Sequence, residues 1–313
     1  MPPQARERVA AAWSTTAVET GPGAGAAPGR GSAALVWQAE DDEIEAFLAA
    51  HPECRWLHTV AVGVPAPVLK HAAATGLTVT NGAGTRGTAV AEHVLALLLA
   101  HCKGLPHTLV AQRERSWRVP PAAELRGRRA GVLGLGDIGG RTARLLDAFG
   151  VEVTACRRSA GGTRPGPGEP GSGLRAVYGP EHLEEFLRGL DILVVAVPLT
   201  PGTRGLVGAR ELALLRPGAV LVNVGRGPVV DESALLAALR GGRLGGAGLD
   251  VFASEPLPAS SPLWSEPGVL VTPHSADATP ETDERCLELL LDNVARFRSG
   301  RPLRNVVDPD RGY

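Results

Sequence analysis

From Ala33 onward, short apolar runs take turns with stretches of helical periodicity. Ala33–Trp37 reads as a short strand. Asp41–His51 reads as a helix, with Asp41 placed to cap it and Ile44, Phe47 and Leu48 on one face. Trp56–Val62 and Leu77–Thr80 are β-rich, and Pro67–Thr75 between them is helical. Thr88–His101 is the strongest helix of the first third: Thr88 sits at the N-cap, and Val90, Val94, Leu97 and Leu98 recur at helical spacing. A second series follows. Its strands are Arg129–Leu135, Glu152–Cys156, Ile192–Val197, Ala219–Val224, Gly246–Asp250 and Gly268–Val271. Its helices are Gly139–Phe149, Pro180–Arg188, Ala209–Leu215 and Asp231–Arg240. Pro280–Arg298 forms one more amphipathic helix, with Cys286, Leu289, Leu290 and Val294 on one side. Strand and helix in alternation predict parallel α/β sheets. Several of the strands are continuous apolar runs, as strands buried on both faces require.

Two stretches break the pattern. Residues 1 to 34 are rich in Ala, Gly and Pro and read as partly irregular, with one short helix around Arg6 to Trp13. Ala160 to Gly173 is dense in glycine and proline and reads as a surface loop. The length, 313 residues, suits about two domains. Lys plus Arg number 32 against 33 for Asp plus Glu, so no global charge favours nucleic acid or an anionic membrane. Aromatics are only 4%, which leaves a core of Val, Leu and Ala. Cys54, Cys102, Cys156 and Cys286 lie far apart, without metal-ligand spacing, and read as reduced and buried. Cys156 ends a strand at a ligand site but carries little claim to reactivity. The longest apolar run, Val94 to Ala100, is too short for a membrane span, and no signal-type apolar segment opens the chain. A cytoplasmic location is expected.

Gly134-Leu135-Gly136-Asp137-Ile138-Gly139 follows one strand and opens a helix, with a second strand from Glu152. That context turns a common glycine spacing into a dinucleotide fingerprint. Gly134 permits the tight turn, Gly136 lets a pyrophosphate approach the backbone, and Gly139 lets helix pack closely on strand. Exposed N–H groups at the helix start hold the phosphates. An NAD-binding domain usually ends its second strand with Asp or Glu on the ribose 2′-hydroxyl. Here the chain reads Arg157-Arg158-Ser159, which suits a 2′-phosphate. NADP is therefore the expected cofactor; with both arginines solvated, NAD is the alternative.

Further segments carry a family resemblance: Gly76-Leu77-Thr78-Val79-Thr80-Asn81, Ala89-Val90-Ala91-Glu92, Val197-Pro198-Leu199-Thr200-Pro201, and Leu221-Val222-Asn223-Val224-Gly225-Arg226-Gly227. After them come Gly248-Leu249-Asp250-Val251-Phe252, Glu255-Pro256-Leu257-Pro258 and Thr272-Pro273-His274. From about Leu57 to Asn305 the chain resembles the D-isomer-specific 2-hydroxyacid dehydrogenases, in particular glyoxylate and hydroxypyruvate reductases. The resemblance implies a Rossmann-type, doubly wound parallel sheet domain at 97–280. This would be inserted into a smaller flavodoxin-like α/β substrate domain made of 1–96 with 281–313. It also implies a site in the cleft between them that closes on ligand. Arg226, Glu255 and His274 match the catalytic positions. Val62 and Gly63 match a loop whose N–H groups bind the substrate carboxylate, alongside Arg226 and His274. Val197, Pro198, Thr203, Val224, Gly225 and Asp250 match positions along the cofactor, and Trp117 matches a tryptophan that could be core, dimer interface or substrate wall. A homodimer through the cofactor domain is implied.

The chemistry gives its own reason for the trio. Reducing a 2-oxo acid needs a cation for the carboxylate, a proton for the developing alkoxide and a hydride donor. Arg226 offers a planar fork. His274 is the natural acid in reduction and base in oxidation. Glu255 would orient the imidazole and favour its charged form. Taken singly, each could equally be a solvated surface side chain. No metal is needed. The expected activity is NAD(P)H-dependent interconversion of a small 2-oxo acid and its D-2-hydroxy acid. Glu255 argues against formate oxidation, where the family has Gln, and the chain ends without the extra domain common in phosphoglycerate enzymes. The alternative is a dinucleotide-sensing, corepressor-like binding protein on the same fold. Two departures from the family stand out: Pro65 replaces the usual Asp after the Val-Gly-Val turn, and the N-terminal stretch lacks a clear first strand.

Overall fold

The computed structural model describes residues 8–9, 17–20, 33–36, 41–158 and 173–309. The chain divides into two compact units, residues 1–86 with 279–313 and residues 87–278. In the first unit, β1 (Ala17–Thr20), β2 (Ala33–Val36), β3 (Trp56–Thr59) and β4 (Thr78–Thr80) form a parallel sheet in sequential order. The expected flavodoxin-type sheet turns back at its first two strands; the described strands run in sequential order without that reversal. On one face Ala34, Val36, Leu57 and Val79 pack under the helices Asp41–Ala50 and Ala66–Thr75 through Ile44, Leu48, Val68 and Ala72. On the other, Leu35, Trp56 and Val60 meet Cys286, Leu287, Leu290 and Val294 of the C-terminal helix Pro280–Arg298.

The second unit holds seven parallel strands: β5 (Arg129–Leu133), β6 (Glu152–Cys156), β7 (Leu174–Tyr178), β8 (Ile192–Val195), β9 (Ala219–Asn223), β10 (Leu244–Leu249) and β11 (Val269–Val271). Their spatial order is β11-β10-β9-β8-β5-β6-β7. The chain leaves β5 toward β6 on one side and later returns to β8 on the other. The order therefore reverses between β5 and β8, where open α/β sheets bind ligands. Strand alternation feeds two cores. Ile192 and Val194 face Val90, Val94, Leu97, Ala143 and Leu146, whereas Leu193 and Val195 face Phe186, Leu187, Leu212 and Leu235. This is a doubly wound Rossmann-type sheet.

Several expectations need correction. A boundary at 96/97 would cut the helix Gly87–Cys102, whose Val90, Val94, Leu97, Leu98 and Cys102 lie in a core of the second unit, so the break falls before it, at 86/87. The return falls at 278/279, where Thr279 caps the C-terminal helix by accepting from the Thr282 N–H at 3.1 Å. Thr88 lies inside its helix, and its hydroxyl accepts from Arg141 Nη1 at 3.1 Å. Pro180–Arg188 divides into a 3₁₀ turn, Pro180–His182, and a short helix, Leu183–Leu187. Three elements escaped the periodicity. Strand β1 lies in the stretch read as irregular. Strand β7 is a half-buried edge that follows the Gly/Pro-rich segment. The helix Leu105–Arg113 buries only Ala111 and leaves Leu109 and Val110 exposed, so its apolar positions mark no inner face. The expected helix at Arg6 to Trp13 lies outside the described residues except for Arg8 and Val9, as does the expected loop up to Gly173. Among the described residues no single helix is long and apolar enough to cross a membrane.

A polar group is sealed into the first unit. His58 on β3 and Thr80 on β4 are cross-strand partners, both buried. Trp56 Nε1 donates to Thr80 Oγ1 at 2.8 Å, and Thr80 Oγ1 lies 2.8 Å from His58 Nδ1. With the hydroxyl accepting from Trp56 and donating to Nδ1, the imidazole proton sits on Nε2, which is buried without a partner. Burial pulls the His58 pKa down to about 4. The folded state thus refuses a proton that the unfolded chain accepts near its ordinary value of 6.5. Stability is full above pH 6.5 and falls as the pH drops toward 4, by about 3 kcal/mol from this group. Urea midpoints between pH 7.5 and 4.5 should show that slope, and His58→Leu should flatten it. A wild-type midpoint that stays constant over the interval would contradict the assignment.

Candidate active site

Parallel strands bring all their carboxyl ends to one edge, and the predicted residues of the second unit follow those ends. After β5, Gly134 turns with φ +100°, and a β-carbon there would sit 2.7 Å from the Ala196 carbonyl oxygen beyond β8. At Gly139 a β-carbon would strike the Gly134 carbonyl oxygen, so helix and loop can meet only through glycine. Gly136 differs: a β-carbon there meets nothing within 4 Å. It caps the helix Asp137–Ala148 without any side-chain hydrogen bond. The first N–H groups of that helix are therefore available to an anion. Leu135 and Ile138 pack at the margin of the core, and Asp137 accepts from Arg141 Nε at 2.7 Å.

The Arg226 turn follows β9. Gly225 approaches Val197 so closely that a β-carbon would lie 2.7 Å from its carbonyl oxygen, and Gly227 would put one into the Phe252 carbonyl group. Buried Asn223 ties the turn from below: its Oδ1 accepts from Gly225 N–H at 3.1 Å, and its Nδ2 donates to the Arg226 carbonyl at 3.2 Å. Val224 anchors it to β8 by donating to the Val195 carbonyl at 3.1 Å. The guanidinium is exposed and donates from Nη1 to the Gly225 carbonyl at 2.8 Å.

Beyond β10, Phe252 N–H donates to Glu255 Oε1 at 2.8 Å, and the other oxygen, Oε2, accepts from His274 Nδ1 at 2.7 Å. A carboxylate only accepts, so Nδ1 carries a proton and Nε2 remains for a ligand, as base when bare and as acid when protonated. His274 itself follows β11 with φ +49°, a conformation uncommon for a side-chain-bearing residue. Asp250, 2% exposed, secures that turn. Its carbonyl accepts from His274 N–H at 2.9 Å. Its Oδ1 accepts from Thr272 Oγ1 at 2.6 Å and Ser275 N–H at 3.0 Å, and its Oδ2 from Ala276 N–H at 3.1 Å. A continuous line of contacts thus runs from the glycine loop through 196–197, the Arg226 turn, Phe252 and Glu255 to His274.

Residues 95–276 match the model of the D-isomer specific 2-hydroxyacid dehydrogenase NAD binding domain. The chain belongs to the D-isomer specific 2-hydroxyacid dehydrogenase family. It is 36% identical to a glyoxylate reductase of Aeropyrum pernix, over 84% of this chain and 78% of that protein. A family member from Xanthobacter autotrophicus Py2, solved with NADPH and MES, superposes with a TM-score of 0.79 at 35% identity, over 99% of this chain and 95% of the other. The NADPH-dependent glyoxylate/hydroxypyruvate reductase of Sinorhizobium meliloti, solved with NADP and sulfate, gives 0.77 at 31% identity, over 90% and 86%. The chain is thus an NAD(P)-dependent 2-hydroxyacid oxidoreductase by family.

The remaining predicted positions of this dehydrogenase fall in several places. Arg157 and Arg158 follow β6; Arg157 Nε is buried with no partner, and its N–H donates to the Tyr178 carbonyl at 3.0 Å. Ser159 lies outside the described residues. Burial, aided by the Glu181 carboxylate, pushes the Cys156 thiol up to about 11, far from a reactive thiolate. Thr203 is engaged within its own turn: Oγ1 donates to the Pro198 carbonyl at 2.7 Å and accepts from Thr200 N–H at 2.8 Å, so it shapes the Val197–Pro198 segment. Val62 and Gly63 lie in the first unit, on the exposed loop after β3, where Asn81 Nδ2 donates to the Val62 carbonyl at 2.7 Å. Pro65 is the N-cap of the helix Ala66–Thr75. Trp117 is 100% exposed and so is not core. Among the described residues no three His, Cys, Asp or Glu side chains gather as metal ligands. Asn81, Asn223 and Thr272 were not singled out from sequence, though each stands inside a quoted motif; only the fold gave them partners.

The open face of Gly136 yields a sharp test. Gly136→Ala should leave the melting temperature within about 1 °C, since the new methyl meets no protein atom. It should weaken NADPH binding, read by fluorescence titration, at least ~10-fold. Gly139→Ala should instead fail to fold stably.

Proposed function

We propose that this protein reduces a small 2-oxo acid, of the glyoxylate or hydroxypyruvate class, to its D-2-hydroxy acid with NADPH. The observation that carries the reading is the Glu255–His274 pair at 2.7 Å, set on the strand edge that also bears the Arg226 turn. The Arg226 guanidinium holds the substrate carboxylate and draws electron density from the carbonyl. His274 Nε2 delivers a proton to the developing alkoxide while Glu255 holds Nδ1–H and balances the imidazolium charge. In the reverse direction the same atom takes the proton. A bound nicotinamide supplies or accepts the hydride. The residues present fit that cofactor: Gly136 leaves an open approach to an uncapped helix start, and the buried, unpartnered Nε of Arg157 follows the second strand of the fold.

Arginines at 157 and 158, with no carboxylate between Cys156 and Ser159, favour a 2′-phosphate over a bare ribose. The Xanthobacter and Sinorhizobium relatives, crystallised with NADPH and NADP, accord with this. Free thiols, buried at Cys102, Cys156 and Cys286 and half-buried at Cys54 where burial was expected, suit a cytoplasmic enzyme. Exposed Leu105, Leu109, Val110, Trp117 and Val119 on one stretch of the second unit suit burial in a homodimer.

A matrix of 2-oxo acids against both coenzymes tests the reading. Turnover should be fastest with a two- or three-carbon oxo acid and NADPH; dinucleotide binding without turnover on any acid would make this a sensing protein instead. Arg226→Ala and His274→Ala should each lower kcat/KM at least ~100-fold, roughly 2.7 kcal/mol of transition-state stabilisation. Near-wild-type turnover in either variant would remove its role. The double variant Arg157→Ala/Arg158→Ala should bring the NADPH/NADH ratio of kcat/KM toward one; equal values already in the wild type would reject the preference.

A further inference from the structure

The bonds around Asp250 reach one residue farther than the proposed chemistry uses. His93, on the helix Gly87–Cys102, places Nε2 3.0 Å from Thr272 Oγ1 and 3.7 Å from Asp250 Oδ1. The Thr272 hydroxyl has a single proton. Three acceptors are within reach, Asp250 Oδ1 at 2.6 Å, His93 Nε2 at 3.0 Å and the Leu249 carbonyl at 3.5 Å, and the shortest contact, to the carboxylate, takes the proton. Thr272 Oγ1 can then only accept from His93, which fixes the hydrogen of that imidazole on Nε2. The result is a directed chain, His93 Nε2–H to Thr272 Oγ1–H to Asp250 Oδ1. The same Oδ1 accepts Ser275 N–H, and the backbone carbonyl of Asp250 accepts His274 N–H. Thr272 thus lies two residues before His274 and is fixed from both sides, by a helix and by a buried carboxylate. A turn that carries His274 at positive φ needs such over-determination to persist.

We propose that His93 is a positioning residue for His274, holding the Thr272 hydroxyl onto Asp250 and thereby fixing the turn that presents the imidazole. The proposal rests on the reading of His274 as the proton donor. Without the Nε2–H, the Thr272 oxygen loses the donor that holds it from the helix side, its bond to Asp250 is the one side-chain restraint left on it, and residues 272–276 gain freedom. A catalytic group displaced by a fraction of an ångström loses turnover more than ground-state binding.

The test uses the full chain with His93→Phe, Thr272→Val, Thr272→Ser and the double variant His93→Phe/Thr272→Val. Two readouts are taken: steady-state reduction of glyoxylate with NADPH, and hydrogen exchange of the amides of Ser275 and Ala276 in the protein without ligands. His93→Phe and Thr272→Val should each lower kcat about 10-fold or more while KM stays within about 2-fold. Thr272→Ser, which keeps the hydroxyl, should restore kcat to within about 3-fold of wild type, and the double variant should be no worse than the weaker single one by more than about 2-fold. Both amides should exchange faster in His93→Phe than in wild type. The proposal fails if His93→Phe leaves kcat and exchange at wild-type values, or if the two single losses multiply in the double variant. Should the wild type reduce no oxo acid, the proposed function falls, and the amide exchange alone decides the role of His93 in the turn.

Discussion

At the carboxyl edge of its seven-stranded sheet, this dehydrogenase packs backbone against backbone where no β-carbon fits. Gly225 lies against Val197, Gly227 against Phe252, and Gly134 against Ala196. These contacts are short and rigid because main chain cannot rotate out of the way as a side chain can. Each locks the loop after one strand to the loop after its neighbour. A displacement of the glycine loop, the Arg226 turn or the Glu255 segment is thereby felt by the next. The two strand-buried cores beneath supply the stiffness that makes the edge a platform.

Two carboxylates beside this edge divide their work by surroundings. Glu255 is partly exposed and gives one oxygen to a backbone N–H and the other to His274. It therefore ties the imidazole to the backbone after β10. Asp250 is sealed, and its oxygens are taken by a hydroxyl and two backbone N–H groups of the turn that carries His274. Its negative charge is neutralised by fixed donors, which rigidify the turn. Orienting the ring and supporting its turn thus fall to different residues, five positions apart in sequence.

The glycine fingerprint and the proposed catalytic residues Arg226, Glu255 and His274 were singled out before any coordinates. Their residue types are what phosphate binding, carboxylate binding and proton transfer require, and their motifs match a known family. Asp250 was legible only in part. The resemblance assigns it to the cofactor, while its hydrogen bonds here go to the His274 turn. His93 carried no local signal, since a histidine on a mostly apolar helix looks ordinary, and Thr272 stood inside a quoted motif that gave no hint of its partners. The helix Leu105–Arg113 and strand β7 were missed because neither buries a full apolar face.

The sequence by itself determined the period of each buried element, the turn that only Gly134 can make, and the chemical identity of the side chains proposed to react. These are local properties, set by sterics and by the pKa range and geometry of single residues. Tertiary structure alone decided that residues 223, 250, 255, 272 and 274 share hydrogen bonds, that the helix from Gly87 belongs to the second unit, and that His58 loses access to a proton. Each of those depends on which strands become neighbours, and strand order in a parallel sheet is fixed by packing between segments far apart in the chain.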